Sequence, residues 1–266
     1  MAGTFLDNLT IDDVAALFPP SANERIKANW PLIAEQLKER HLTSREAVLY
    51  VLGTIDAETK PTFAPDPEQS SKRSQTVDKA GYAGIHDAGT VRPFGKYDST
   101  IRFAKGKPII NKQLGNEYYR GKDDALMRAR HGDPPIPDRN EGEKYRGRGF
   151  VQLTGKYNYT VMQRMVGTEL DIDLVNNPEE AEDPETAAQI MACFLARHRS
   201  TIEKEMKAGD YEQARKVVNK QGLAWRKIER IVTAYDAAQE KKAAKAAAAR
   251  VMGPPRPSTV IPRITP

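Results

Sequence analysis

A single cysteine, Cys193, in 266 residues excludes an intramolecular disulfide framework, so packing must hold the fold, as suits a protein made in a reducing cytoplasm. Cys193 sits in an apolar run and is expected in the core. Only four histidines occur, His41, His86, His131 and His198, and none has metal-ligand spacing or belongs to an H-E-x-x-H pair. Ser70, Ser71 and Ser74 lack a nucleophile-elbow context, which argues against serine hydrolysis. No apolar run approaches the length of a membrane helix, and the N-terminus has no basic segment followed by an apolar one. Any export is therefore expected to use a route other than an ordinary signal peptide, and no membrane insertion is expected.

Charge of one sign is also scarce. Lys and Arg number 41 against 36 Asp and Glu, a net charge of +5, and the excess reads as spread along the chain. The run from Arg102 to Arg130 comes nearest a nucleic-acid stripe, but Glu117, Asp123 and Asp124 interrupt it, so nucleic acid is not the expected partner. With 39% hydrophobic residues the chain can bury one substantial core. Residues 1–240 read as one catalytic domain, with residues 1–42 its N-terminal helical part. Residues 241–266, Lys/Ala-rich and then Pro-rich, read as a frayed helix extension and a disordered tail.

What is present is mostly helical pattern, so a mainly α fold is expected. Thr10 caps a short helix that Pro19 and Pro20 end. Ile26, Trp30, Ile33 and Leu37 make one apolar face over residues 21–40, where Pro31 is placed to divide or kink the helix. Thr43 and Glu46 form a capping-box pattern ahead of a stretch so apolar all round that it reads as the buried central helix. From Thr59 to about Gly149 periodicity fails, and so long an irregular stretch points to functional loops; the short candidate elements within it are residues 100–103 and 123–130. Gly149 to Thr154 reads as extended. Helices follow over residues 157–166, from the Asp183 N-cap to near His198, and over residues 211–219 and 223–238. Trp30 and Trp225 occupy apolar helical positions and are expected in the core.

Candidate chemistry begins where the central helix runs out, at Glu58. A carboxylate there faces the negative end of the helix dipole, and burial adds desolvation, so both effects favour the protonated form a general acid needs. A solvated glutamate closing a helix fits the position as well. Ten residues on, Asp66 and Glu68 lie on a proline-stiffened loop, where a carboxylate stays ionised as a general base must. Residues 145–159, YRGRGFVQLTGKYNY, combine three glycines with Gln152, Thr154, Tyr157 and Asn158, whose amide, hydroxyl and aromatic groups suit sugar hydroxyls and ring faces. No GK[ST] closes the segment, so it is not a phosphate loop.

The GRG, QLTG and YNY elements of that segment resemble the signature of family 19 glycoside hydrolases, the chitinase-like family that includes many phage endolysins. AETKPTFAPDPE resembles the same family's HETGGTF-x-P-x-x-E pattern, and further similarity lies in LVNNPEEAEDPETAA and VVNKQG, so the resemblance runs from about residue 43 to 235. Ala57 stands where the family has His, Lys60-Pro61 where it has Gly-Gly, and Lys220-Gln221 where it tends to have Gly-Gly.

The resemblance implies a lysozyme-like α+β fold whose helical lobes flank a groove, with Glu58 as general acid and Glu68, favoured over Asp66, as the base of an inverting mechanism without cofactor or metal. It further implies that Gln152, Thr154, Tyr157 and Asn158 bind sugar or the catalytic water, and that Asn219 and Arg230, or Arg226, support the cleft. The expected substrate is peptidoglycan, with chitin as the alternative and a non-catalytic wall-binding module as the alternative of another class. A monomer is expected, released by a holin as an endolysin or delivered by a secretion machine as an effector; the latter would add a delivery or immunity protein as partner.

Overall fold

A computed structural model describes residues 3–59, 62–67 and 144–252. Glu68, Lys60-Pro61, His86, His131, the three serines, the basic run at 102–130, the candidate elements at 100–103 and 123–130, and residues 253–266 lie outside the described residues. The described part is mainly helical, and its only β pairing is one isolated antiparallel bridge between Arg148 and Leu153. None of its helices is long and apolar enough to cross a membrane.

Helix α1, Ile11–Ala15, starts from a capping box in which Asp13 N–H donates to Thr10 Oγ1 and Thr10 N–H to the Asp13 carboxylate, both at 3.1 Å. Helix α2, Asn23–Glu39, buries Ile26, Trp30, Ile33 and Leu37, the face its spacing predicts. Pro31 does not divide it. The buried residues on either side of the proline hold the helix in place, which offsets the one backbone hydrogen bond that proline removes.

Helix α3, Arg45–Glu58, is the central helix, with every residue from Ala47 to Asp56 buried. Its N-cap is Ser44, not Thr43. The Ser44 hydroxyl accepts from Ala47 N–H at 3.3 Å and donates to Glu203 at 2.7 Å, a tertiary contact that Thr43 does not make.

Helices α4, Lys156–Leu170, and α5, Pro184–Ala196, follow the hairpin, with α5 packed on α2 and α4. The Asp183 carboxylate caps α5 by accepting from Glu185 and Thr186 N–H. Helix α6, Arg199–Lys207, was not expected: its apolar face is only Ile202 and Met206, too sparse to register as a period. Helix α7, Tyr211–Arg215, is shorter than expected. Helix α8, Trp225–Met252, runs well past residue 238, so residues 241–252 are helical and not part of a disordered tail. Alanine and lysine are strong helix formers, and they extend a helix already nucleated by packing.

α3 and α8 run antiparallel, as their contacts show: Arg45 pairs with Asp236 at 2.6 Å, Gly53 meets Ile228, and Asp56 meets Lys227 and Arg230. The end of α3 that carries Glu58 therefore lies beside the start of α8. The close approach depends on Gly53, where an added Cβ would fall 2.6 Å from the Ile228 Cα. Backbone cannot swing aside as a side chain can. Gly53→Ala is expected to lower stability by about 3 kcal/mol, because overpacking exceeds the roughly 1 kcal/mol that alanine returns in helix propensity. An unchanged urea midpoint would disprove this.

Candidate active site

Glu58 is the last residue of α3, and its side chain is 17% exposed. Its carboxylate accepts from Arg215 Nη2 of α7, and Arg215 is almost wholly buried, at 2% exposure. Arg215 Nε donates to the Leu223 carbonyl at 3.0 Å, while Nη1 is buried without a hydrogen-bond partner among the described residues. A guanidinium taken out of water is stabilised by the acceptor and counter-charge beside it, and its N–H can donate to one Glu58 oxygen whether or not the other carries a proton, so Arg215 fixes the direction of the Glu58 carboxyl group. Arg215 is not among the residues the sequence marks as functional. Its only local signal is an arginine just ahead of the VVNKQG turn.

Thr54 and Tyr50 stand one and two turns before Glu58 on the same face of α3. Both hydroxyls are buried close to one another, and neither makes a well-aligned hydrogen bond among the described residues. Burial pushes the Tyr50 phenol well above its ordinary pKa, with the Arg215 charge opposing. Tyr50→Phe removes a buried hydroxyl that has no well-aligned hydrogen bond among the described residues. The expected result is a gain of about 1 kcal/mol, and a lower urea midpoint for the variant would count against it.

The chain beyond Glu58 is clamped. Thr59 donates from its hydroxyl to the Ile55 carbonyl at 2.8 Å, and Thr62 from its hydroxyl to Thr59 at 2.7 Å. Phe63, at φ 55°, buries its ring against Phe18 and Phe150, and its carbonyl accepts from Asn29 Nδ2 at 2.8 Å. Gly149 N–H donates to the Pro65 carbonyl at 3.3 Å, and Gln152 Nε2 to the Asp66 carbonyl at 3.0 Å. The hairpin at residues 148–153 thus fastens the segment that follows the candidate acid. Asp66 itself is exposed, and its carboxylate pairs with Arg25 at 3.2 Å.

The expected extended segment at Gly149 to Thr154 is a tight turn, because Gly149 at φ 74° and Gln152 at φ 50° reverse the chain. Gln152 is a non-glycine residue in the left-handed region, a conformation that persists only where surroundings enforce it. Its amide binds Asp66 and Gly149 carbonyls, and the Thr154 hydroxyl donates to the Gln152 carbonyl at 2.7 Å. Asn158 Nδ2 donates to the Thr154 carbonyl at 2.8 Å. Thr154, Tyr157 and Asn158 are half-buried around the start of α4.

The outer parts of residues 145–159 are core, not cleft. Tyr145 and Tyr159 are buried with ring centroids 5.4 Å apart, and burial pushes the Tyr159 phenol up to about 12 against the pull of Arg148. Arg148 is likewise buried, donating to Glu182 at 2.7 Å, the Lys144 carbonyl at 2.7 Å and the Tyr159 hydroxyl at 3.2 Å. Burial works against its charge, but Tyr159 and Glu182 outweigh it and raise its pKa.

Asn219 shapes the turn between α7 and α8: its Oδ1 accepts from Gln221 and Leu223 N–H at 3.1 and 3.3 Å. It therefore places the Leu223 carbonyl that holds Arg215, and reaches Glu58 at one remove. Arg230 is not beside Glu58. It pairs with Asp56 at 3.0 Å and donates to the Leu17 carbonyl at 2.8 Å, because Asp56 and Glu58 point about 200° apart around the helix. Asp56 is 1% exposed and faces Arg230 and Lys227 without hydrogen-bond alignment to either. Arg226 lies over the Trp225 ring at 4.9 Å, and Trp225 is half-buried instead of core; Trp30 and Cys193 are buried as expected.

The arrangement places one partly exposed carboxylate at the end of a buried helix, held by a buried arginine and bordered by a clamped loop. No protein-family model matches the sequence, and no curated protein does either.

Proposed function

We propose that the protein hydrolyses β-1,4 glycosidic bonds of bacterial peptidoglycan by inversion, on a lysozyme-like arrangement of helices around a groove. Glu58 protonates the leaving glycosidic oxygen, and Glu68 activates a water on the opposite face of the sugar. In this step the proton is carried on the Glu58 oxygen that Arg215 does not contact, and Arg215 stabilises the carboxylate left when that proton passes to the glycosidic oxygen. Gln152 holds the segment that precedes Glu68 in sequence, and Gln152, Thr154, Tyr157 and Asn158 bind the hydroxyls of the glycan. The protein would meet its substrate in the wall after holin-dependent release or delivery by a secretion machine.

The single observation that carries this reading is the Glu58–Arg215 pair. A carboxylate at 17% exposure is reachable by substrate, yet it is fixed in direction by a side chain that cannot move without unpairing. The resemblance of residues 43–235 to family 19 glycoside hydrolases supplies the reaction type. Mass spectrometry of products released from purified murein sacculi tests it. Soluble fragments bearing a new reducing-end sugar are expected; binding to sacculi with no bond cut would replace the hydrolase by a wall-binding module. Faster cleavage of colloidal chitin than of sacculi would move the substrate to chitin.

A further inference from the structure

Counted by segment, the positive charge is not spread along the chain. Residues 241–266 contain six cations, Lys241, Lys242, Lys245, Arg250, Arg256 and Arg263, and no Asp or Glu. Of the 41 cations, that leaves 35 in residues 1–240 against all 36 acidic residues, so this larger part is balanced and the whole excess of the chain belongs to its last 26 residues.

The structure shows where that charge begins. α8 packs along α3 up to the Arg45–Asp236 pair, beyond which α3 has no further turn to offer. From Glu240 to Ala248 every residue of α8 is exposed. Lys242 pairs with Asp13, while Lys241 and Lys245, one turn apart, have no anionic partner among the described residues.

Two bland explanations fall short. Cations favour the negative end of a helix dipole, but only within the last turn, and Lys241 lies about three turns before Met252. Lysine also serves as a solvated helix former, yet such faces ordinarily mix lysine with glutamate at spacings of four, and no glutamate follows Glu240.

We propose that the exposed end of α8 is a docking surface for a phosphodiester polymer of the bacterial wall, which it holds by charge. Lipid is the poorer fit, because residues 241–248 are only lysine and alanine and offer no bulky apolar face to enter a bilayer. The choice of a wall polymer over nucleic acid rests on the proposed function; the binding itself does not require catalysis.

The test is binding of the intact protein, at low and raised salt, to poly(glycerol phosphate), to duplex DNA of equal phosphate content and to phosphatidylglycerol vesicles. The same is measured for the triple variant Lys241→Gln, Lys242→Gln, Lys245→Gln, and for a charge-matched control, Lys27→Gln, Lys204→Gln, Lys207→Gln. Glutamine keeps the helix propensity of lysine. Losing the two lysines without an anionic partner, together with the charge of Lys242, is expected to weaken polymer binding by on the order of tenfold at low salt and to flatten its salt dependence, with the control within about twofold of the parent on the same electrostatic footing. Equal weakening by both triples, or no polymer binding by the parent, overturns the docking surface. Tighter binding to DNA or to vesicles than to the polymer overturns the choice of partner. A parent that binds the polymer through these lysines but releases nothing from sacculi would sink the hydrolase reading and leave this surface standing.

Discussion

Glu58→Gln is expected to slow release of soluble fragments from sacculi by on the order of a thousandfold, within the range general acid catalysis contributes. The amide cannot protonate a leaving oxygen. It can still accept from Arg215, so the geometry of the pair survives in part, and the variant should remain folded with a near-native far-UV spectrum. Fragment release by Glu58→Gln at the rate of the parent would refute the assigned acid. Circular dichroism on the same sample separates a lost proton donor from a lost fold.

The second large effect concerns Arg215. Arg215→Met leaves the largely buried Glu58 carboxylate without its counter-charge and the Leu223 carbonyl without its donor. Removing one partner of such a pair is expected to cost about 3 kcal/mol, seen as a fall in urea midpoint. Arg215→Lys keeps the charge, but one ammonium cannot reproduce the fork that serves Glu58 and Leu223 together. It is expected to recover most of the stability and little of the hydrolysis. If Arg215→Lys matched the parent in both, charge alone would be sufficient and the directional argument would fail. The double variant Glu58→Gln, Arg215→Met should cost less than the sum of the singles, since neither charge is then left buried alone.

The helical architecture was largely legible in the sequence. Ile26, Trp30, Ile33 and Leu37 repeat at helical spacing, and Thr10 and Asp183 are N-caps whose partners lie within three residues. Local signals predict local structure well where tertiary contacts agree with them. They failed where a distant partner decided. Glu203 draws the cap of α3 to Ser44, and α6 is held as a helix by two buried residues that no period announces. The Lys/Ala run continues the last helix to Met252, because a helix that is marginal alone extends readily from one already anchored.

For the candidate site, the chain alone determined that Glu58 closes an apolar helix and that a glycine-rich polar segment lies downstream. It also fixed the absence of a disulfide framework and the confinement of excess charge to the last 26 residues. Only the tertiary structure decided which arginine meets Glu58, sending Arg230 to Asp56 and bringing Arg215 from a separate short helix. Only it divided residues 145–159 into buried tyrosines and a turn whose Gln152 clasps the loop after Glu58. The physical reason is range: propensity, caps and periodicity act over a few residues, whereas a buried charge is satisfied by whichever partner packing brings near, here 157 positions away.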